Sequence, residues 1–331
     1  MKFQKPRGTI DLIGENFYEY KKVQDKILNV VENYGFVQVR TPMFESLELL
    51  EKDAGSEVNS QIYKFTDKGG RKLGIKSDIT PAIARIVAND GPSMKKPIKF
   101  SCLDRVYRYE RPQKGRLREI TQINAEMFGK DSIEEDVEIL RCFLDCYLAL
   151  GFDNIKIKIG NRPWLAGYLK SIGVPDGNVS EVLRAIDKVD KLNLEDYEAS
   201  LENLDLSKKQ IDFIDNLKEL KGSWNEVAEK IKAIKKYSSN EYISRLEKIF
   251  KSFEDQGIEK YFVVDLGISR GSDYYTGIIF EASLPDKGIG SIGGGGRYDN
   301  LVRDFGNYDI PAVGFSIGID RVVILRKDNK Q

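Results

Sequence analysis

The sequence predicts an α+β fold, in which a mostly antiparallel sheet flanked by helices is interrupted along the chain by a helical insertion. Alternation of apolar and polar residues, which is typical of strands, fills much of residues 97–128 and returns between residues 261 and 317. Residues 165–256 are rich in Lys and Glu and show mainly helical spacing. The chain is therefore predicted to consist of the first part of a core domain (1–160), a helical insertion (161–257) and the second part of the same core domain (258–331).

The first part of the chain begins with an amphipathic pattern. Residues 15–34 place apolar side chains at helical spacing, and Gly35 ends this predicted helix. Residues 36–42 alternate as a half-exposed strand that stops at a proline. A hairpin is predicted over 61–76, and a helix with a proline in its first turn over 79–88.

The central and final segments supply the other predicted strands. Residues 97–110 and 117–128 alternate around a polar turn that carries three cations. A helix is predicted over 133–150 and a strand over 154–159. Further strands are predicted at 261–268, 274–283, 289–293 and 312–317, and a short helix follows the last of them over 318–326.

Composition limits the class of protein. The 52 basic residues balance 52 acidic ones, so a nucleic-acid surface would have to be a local patch. No segment approaches ~18 uninterrupted apolar residues, and the N-terminal residues lack the apolar core of a signal peptide. We therefore expect a cytoplasmic protein without a membrane span.

The chain contains no histidine, which excludes a Ser-His-Asp triad, a Cys-His pair and any histidine metal site. Cys142 and Cys146 share one face of a predicted helix, but two further metal ligands are missing and we interpret both as core residues. No metal site is predicted in the protein itself. Carboxylates, Arg, Lys, Tyr, backbone groups or the substrate must therefore supply the chemistry.

The first candidate site lies on the two strands around the cationic turn. Arg108 and Glu110 share one face, and so do Arg118, Gln122 and Glu126. Arginine forks bind phosphate oxygens in bidentate fashion, and mixed cations and carboxylates suit a zwitterion beside a polyphosphate. A solvated face with ordinary surface ion pairs explains the same pattern equally well.

Three later segments add candidates that are weak individually. Residues 269–280 place Arg270 before a predicted strand, with Tyr274 and Tyr275 on opposite faces, although a plain turn and strand has the same pattern. The four glycines that begin at Gly293 allow close backbone approach, although such runs are more often flexible turns. Residues 314–321 begin a short helix whose arginine, Arg321, either faces an anion or solvent.

Taken in order, these segments resemble the motifs of class II aminoacyl-tRNA synthetases. GFVQVRTPMFE (35–45) resembles motif 1, VYRYERPQKGRLREITQ (106–122) motif 2 and GFSIGIDR (314–321) motif 3. SRGSDYYTG (269–277) and GGGGRYDNL (293–301) resemble two segments peculiar to histidine–tRNA ligases, and KPRGTIDL at the start fits that family. The likeness spans nearly the whole chain, and its ordered set of five segments is highly specific.

The resemblance implies a two-step reaction in which ATP and histidine form histidyl-adenylate, which then transfers histidine to tRNA(His). It also implies a homodimer, which we expect to pair through residues 10–50, the first helix and motif 1, and Mg²⁺ bound with ATP. Adenylyl transfer relies on positioning and charge neutralisation, so a catalytic histidine is not needed. For ATP, the resemblance implies Arg108 and Arg270 at the α-phosphate, Arg116 and Arg321 at the outer phosphates, and Glu110 near adenine. For histidine, it implies Asp78, Thr80 and Gln122 at the amino group, and Glu126, Tyr274 and Tyr275 in the rest of the site. Of these last three residues, Glu126 and Tyr275 are expected to contact the imidazole.

Three departures from the family pattern stand out. Ser272 replaces a usual apolar residue, and Lys76 and Ser77 stand where the family usually has Arg followed by Pro or Tyr, which we expect to weaken the amino-acid pocket slightly. The chain ends at Gln331, directly after motif 3, so we expect the anticodon-binding domain of a full ligase to be missing.

Two other functions compete with the ligase. The regulatory subunit of a short-form ATP phosphoribosyltransferase resembles these ligases, usually lacks the anticodon domain and binds histidine as a signal. It has no need to hold ATP phosphates, whereas Arg108, Arg116, Arg270 and Arg321 are all present here, which favours the ligase. A non-catalytic dimeric binding module is the third alternative.

Overall fold

A computed structural model of the chain describes residues 3–52, 54–111, 115–187, 201, 204, 206–234, 241–270, 273–285 and 290–328. Ser272, which the sequence singles out, lies outside these residues. The described part divides into two compact units. Unit 1 comprises residues 1–155 and 282–331, and unit 2 comprises residues 156–281.

Helices and strands alternate along both units. The helices are α1 (Glu15–Asn33), α2 (Leu47–Glu51), α3 (Gly55–Gln61), α4 (Thr80–Asp90), α5 (Ile133–Ala149), α6 (Arg162–Ser171), α7 (Asp176–Asp187), α8 (Lys208–Asp215), α9 (Trp224–Ala233), α10 (Glu241–Asp255), α11 (Leu301–Phe305) and α12 (Ile319–Asp328). The strands are β1 (Val37–Gln38), β2 (Phe44–Ser46), β3 (Tyr63–Thr66), β4 (Lys72–Ile75), β5 (Ile98–Tyr107), β6 (Glu119–Phe128), β7 (Lys156–Asn161), β8 (Lys221–Gly222), β9 (Phe262–Asp265), β10 (Ile278–Ser283), β11 (Gly293–Arg297) and β12 (Ala312–Gly318).

Unit 1 is built on a mostly antiparallel sheet in the order β1-β5-β6-β12-β11. Only its β1–β5 pair is parallel among these strands, and the long β5–β6 pair runs from Ile98 opposite Phe128 to Tyr107 opposite Glu119. A second, three-stranded antiparallel sheet has the order β2-β4-β3. The predicted α+β class, a largely antiparallel sheet with flanking helices, is confirmed.

Helix α1 forms because its apolar residues recur every three or four positions. Tyr20, Val23, Ile27 and Val31 are buried, and the helix packs against α5 and α12. Gly35 follows the helix at a φ of +80°, a left-handed conformation that favours glycine, so the predicted stop is confirmed.

Unit 2 combines helices with short strands. Strand β9 pairs in parallel with β7 and antiparallel with β8. Helix α10 buries an apolar face, from which Phe253 stacks on Phe262 of β9 with ring centroids 3.9 Å apart. None of the helices in the described part of either unit combines the length and apolarity needed to cross a bilayer.

Some predicted boundaries were wrong. The strand predicted over 36–42 is confined to Val37–Gln38, and the one predicted over 97–110 ends at Tyr107. The strand predicted over 274–283 begins at Ile278, because Tyr274 lies in a turn and Tyr275 in the irregular segment that follows it. The glycine run is the strand β11 itself, whereas the sequence predicted a strand that ended where the run begins.

Candidate functional site

A buried carboxylate on β6 is the centre of the candidate site in unit 1. Glu126 is 1% exposed. One of its oxygens accepts hydrogen bonds from Thr80 Oγ1 at 2.6 Å and Asn124 Nδ2 at 3.0 Å, and the other accepts one from the Tyr298 hydroxyl. All these donors are neutral. Burial raises the pKa of Glu126 from its ordinary 4.5 to about 7, against the opposing effect of these hydrogen bonds.

Glycines make room for this carboxylate. Gly314 of β12 lies opposite Glu126, and a Cβ at Gly314 would lie 1.7 Å from Glu126 Oε2. Gly295 of β11 lies opposite Phe315, the next residue of β12, and a Cβ at Gly295 would lie 2.0 Å from the Gly314 carbonyl oxygen. The glycine run therefore allows close approach of two strands beside the carboxylate, which is the close backbone approach considered from the sequence and not a flexible turn.

Two neighbours on β6 share the side of the sheet that carries Glu126. Gln122 and Asn124 alternate with it along the strand and are buried, so the alternative of a solvated face does not apply to them. The side-chain oxygens of Gln122 and Asn124 are buried without a hydrogen-bond partner among the described groups. Oxygens of this kind suit a ligand that donates hydrogen bonds, such as an ammonium group.

Helix α4 brings the Asp78–Thr80 segment to the same place. The Thr80 hydroxyl joins Glu126 directly, and Asp78 Oδ1 accepts the backbone N–H of Thr80 at 3.3 Å. The structure therefore brings Thr80 and Glu126 together, with Asp78 two residues away from Thr80 along the chain. Asn124 and Tyr298 were not predicted, although Asn124 alternates with predicted residues and Tyr298 follows the glycine run.

The arginines of motif 2 lie beyond the strand ends. Arg108 donates from Nε to the Ser77 carbonyl oxygen at 2.8 Å, and Glu110 pairs with Arg116, whose Nε is 2.5 Å from its carboxylate. Arg321 at the start of α12 donates to the carbonyl oxygens of Gly115, at 2.9 Å, and Ser291. Arg321 therefore lies beside the turn that carries Arg116. The resemblance to the ligases assigns both arginines to the outer phosphates of ATP.

The N-terminal motif also reaches this region. The Gly8 carbonyl oxygen accepts the backbone N–H of Arg118 at 2.8 Å. The Arg118 guanidinium lies over the Tyr109 ring at 4.2 Å and donates to the Glu110 carbonyl oxygen at 3.1 Å. KPRGTIDL thus contacts the strand that follows the motif 2 turn.

In unit 2, Arg270 lies among aromatic and acidic groups. Its guanidinium is 3.4 Å from the Phe280 carbonyl oxygen and 3.6 Å from Glu281. Burial alone would lower the pKa of Arg270, but Tyr275, Glu281 and Tyr274 outweigh it and raise that pKa, so the side chain stays cationic. The rings of Tyr274 and Tyr275 contact each other at 4.8 Å, so their prediction on opposite faces of a strand was wrong.

Asp273 and Arg162 support this part of unit 2. Arg162 donates to Asp273 at 2.8 Å and to the Arg270 carbonyl oxygen at 3.3 Å, and Arg184 lies 3.9 Å from Asp273. The sequence did not single out Arg162, because it begins a helix more than 100 residues before the segment that it contacts.

Comparisons with known proteins agree with this geometry. The family model described as Histidyl-tRNA synthetase matches residues 8–322. A histidine–tRNA ligase from Pyrococcus abyssi is 40% identical over 97% of this chain and 74% of its own length. The crystal structure of histidyl-tRNA synthetase from Nostoc sp. PCC 7120 has a TM-score of 0.82 at 27% identity, covering 100% of this chain and 76% of that one.

A solved protein from Bacillus halodurans, titled an ATP phosphoribosyltransferase regulatory subunit/histidyl-tRNA synthetase, shares the fold. Its TM-score is 0.83 at 24% identity, over 98% of this chain and 83% of that one. The fold alone therefore does not separate the two functions, whereas the sequence matches do favour one of them. The family model and the 40% identity place this chain in the histidyl-tRNA synthetase family.

Proposed function

We propose that the chain is the catalytic core of a histidine–tRNA ligase, which activates L-histidine with ATP and transfers it to tRNA(His). Glu126 and its hydrogen-bond donors Thr80, Asn124 and Tyr298, together called the Glu126 cluster, are the observation that supports the proposal most strongly. A buried carboxylate that receives its described hydrogen bonds from neutral groups suits a ligand that brings its own positive charge or N–H donor, as imidazole does.

We propose that the histidine side chain contacts Glu126 and Tyr275, with Tyr274 also in the histidine site. Its amino group would be held by Asp78, Thr80 and Gln122. The buried oxygen of Gln122, which has no described partner, supports this assignment. The substrate carboxylate then remains free to act as the nucleophile.

The first step needs charge neutralisation rather than a protein base. A histidine carboxylate oxygen bonds to the α-phosphorus of ATP, the bond from that phosphorus to the bridging oxygen breaks, and pyrophosphate leaves with the electron pair. We assign Arg108 and Arg270 to the α-phosphate, Arg116 and Arg321 to the outer phosphates, and Glu110 to the vicinity of adenine. Guanidinium groups suit all four phosphate roles because they remain charged and bind phosphate oxygens in bidentate fashion.

The second step passes histidine to RNA. A hydroxyl of the 3′-terminal ribose of tRNA(His) bonds to the carbonyl carbon of the adenylate, losing its proton, and AMP leaves. Mg²⁺ would be held with ATP, since this ion typically binds substrate phosphates and one or two carboxylates. In the described residues, no cluster of three or more acidic or cysteine side chains is placed to hold a metal alone.

A homodimer is part of the proposal. Ile13, Phe17 and Met43 are exposed apolar side chains, and they line a groove of about 1080 Å³ beside α1 and motif 1. Covering such side chains stabilises association. Sedimentation at micromolar concentration should give a dimer, and a monomer there would contradict this part of the proposal. A cytoplasmic location follows from the proposed substrates, ATP and tRNA.

We propose that the Lys-rich helices of the insertion, residues 165–256, meet the acceptor stem of the tRNA. Lys230 and Lys232 of α9 have local partners, the Glu219 carbonyl oxygen and the Glu229 carboxylate, so a solvated helical cap competes with this idea. If the insertion binds phosphates, its deletion should flatten the salt dependence of tRNA affinity. An unchanged slope would favour the solvated cap.

Histidine-dependent exchange of pyrophosphate into ATP tests the function. The wild-type chain should catalyse it with Mg²⁺, and Arg270→Ala should lower its rate by roughly 10²–10³, the range for losing one preorganised charge-stabilising group. Histidine affinity should barely change, and Lys at position 270 should rescue the rate only partly. Histidine binding without exchange by the wild type would instead support the regulatory-subunit function.

A further inference from the structure

Lys76 carries a buried charge outside the Glu126 cluster. It is 1% exposed, and its ammonium donates to Asp104 at 2.6 Å, to the Thr41 hydroxyl at 3.0 Å and to the Thr41 carbonyl oxygen at 3.4 Å. An ammonium has three protons to donate, and these contacts use all of them. Since burying an unpaired charge is very costly, this network fixes the position of Lys76.

The backbone around Lys76 leads directly to Arg108. The backbone N–H of Lys76 donates to the Met43 carbonyl oxygen at 3.1 Å, and the Lys76 carbonyl oxygen accepts the backbone N–H of Tyr107 at 2.9 Å. The next carbonyl group, that of Ser77, accepts the Arg108 guanidinium at 2.8 Å. One short segment therefore links the motif 1 loop, through a buried ammonium, to the arginine assigned to the α-phosphate.

We infer that Lys76 is a positioning residue for Arg108, which it orients by anchoring the Ser77 carbonyl to Thr41 and Asp104. The inference rests on the proposed function, since Arg108 is placed there at the ATP α-phosphate. It also gives a role to a departure from the family pattern. The described contacts of the Lys76 ammonium are with Thr41 and Asp104 rather than with the partners of Glu126, so Lys in place of Arg leaves that cluster intact.

Truncation of the ammonium should impair the reaction and spare histidine binding. Lys76→Met should lower kcat for pyrophosphate exchange by about 10-fold to 100-fold, the usual effect of removing a group that orients a functional one. ATP affinity should fall in parallel, whereas the histidine Kd should stay within about threefold. Lys76→Arg should recover most of the rate, because it keeps a cation between Asp104 and Thr41.

A folding defect is separated by two further variants. Lys76→Met/Asp104→Leu removes both charges, so that neither is left unpaired, and it should keep the kinetic defect of Lys76→Met. Lys99→Met is the matched control. Lys99 lies on β5 and pairs with Glu138 at 2.5 Å, but it has no described contact with the Ser77 segment, so its loss should leave kcat unchanged.

The experiment measures exchange kinetics, ATP and histidine affinity by calorimetry, and unfolding for each variant. Sedimentation is included because Thr41 and Asp104 also line the groove proposed for dimerisation. A stable, dimeric double variant with wild-type kcat and ATP affinity would overturn the inference. If the wild type binds ATP but catalyses no exchange, the proposed function fails. In that case the inference is judged by ATP binding alone, and an ATP affinity of Lys76→Met equal to that of the wild type would overturn it. A wild type that binds no ATP contradicts both.

Discussion

Two of the buried charges in unit 1, Arg297 and Glu126, differ in what neutralises them. Arg297 (1% exposed) and Asp136 (0% exposed) form an ion pair at 2.8 Å, and Asp299 joins Arg297 at 2.9 Å. Burial alone would lower the pKa of Arg297, but Asp136 and Asp299 outweigh it and raise that pKa. Glu126, equally buried, receives its described hydrogen bonds from neutral donors, and its pKa rises to about 7.

The difference separates a structural charge from one available to a ligand. The Arg297 pair has complementary charges within the protein, so each group stabilises the ionised form of the other. Glu126 lacks such compensation among its described hydrogen bonds, and a ligand with a cationic or N–H donor group can supply it. The site carboxylate should therefore respond to histidine and pH, and the ion pair should respond to neither.

Breaking the ion pair should give the largest change in stability. Asp136→Asn leaves the Arg297 guanidinium buried with fewer compensating charges, and we expect unfolding to become easier by about 3–5 kcal/mol. Histidine affinity of the folded protein should stay within about threefold. Chemical denaturation and calorimetry measure the two quantities. A large loss of histidine affinity at full stability would reverse the roles assigned to the two places.

The pH dependence of stability should reveal Glu126. The folded protein holds the Glu126 proton up to about pH 7, whereas the unfolded chain releases it near 4.5. Between these values the folded state binds more protons at this group, so the contribution of Glu126 to stability is fully present below pH 4.5 and is lost as the pH rises to about 7, a change of about 3 kcal/mol.

Glu126→Gln isolates that contribution. Asp320 and Glu135 also have raised pKa values because of burial, but they are present in both proteins and cancel in the difference. Denaturant titrations from pH 5 to 8 should show the wild type losing stability relative to Glu126→Gln. Parallel curves would mean that Glu126 is ionised throughout.

Filling the space beside the carboxylate should displace it. Gly314→Ala places a methyl group 1.7 Å from Glu126 Oε2, and we expect a stability loss of about 1–3 kcal/mol with at least a tenfold rise in histidine Kd. Gly318→Ala is the matched control on the same strand, since its nearest contact would be 4.0 Å away. Equal behaviour of the two variants would show that Glu126 can move without consequence.

Removing one donor should have the smallest effect. Tyr298→Phe deletes one hydrogen bond to Glu126, worth about 1 kcal/mol, so histidine Kd should rise by roughly fivefold. The pKa of Glu126 should rise further, because that hydrogen bond favours the carboxylate. Spectroscopic titration of the carboxyl group in both proteins measures this shift, and a lowered pKa would exclude the assigned contact.

How much the sequence predicted depended on how local the signal was. Apolar spacing in 15–34 predicted α1, and alternation along β6 placed Gln122 and Glu126 on one side of a strand. The partners of Glu126 could not be derived this way. Tyr298 reaches it from 172 residues away, and the fit of Gly295 against Gly314 depends on how β11 and β12 pair.

The same reasoning explains the error at the two tyrosines. Tyr274 and Tyr275 follow one another in a segment with strand composition, but the strand begins only at Ile278 and their rings contact each other before it. The slight weakening of the amino-acid pocket expected from Lys76 and Ser77 stays a prediction. The contacts of the Lys76 side chain could not be derived from the sequence, because Asp104 and Thr41 are 28 and 35 residues away.

The central claim, that Glu126 is held for histidine, is tested most directly by titrating L-histidine into the wild type and Glu126→Ala. Losing one charged contact costs on the order of 2–4 kcal/mol, so histidine Kd should rise by about 30-fold to 1000-fold. Unfolding measured in parallel should show that the variant remains folded. An unchanged histidine Kd in folded Glu126→Ala would remove Glu126 from the site and contradict the account.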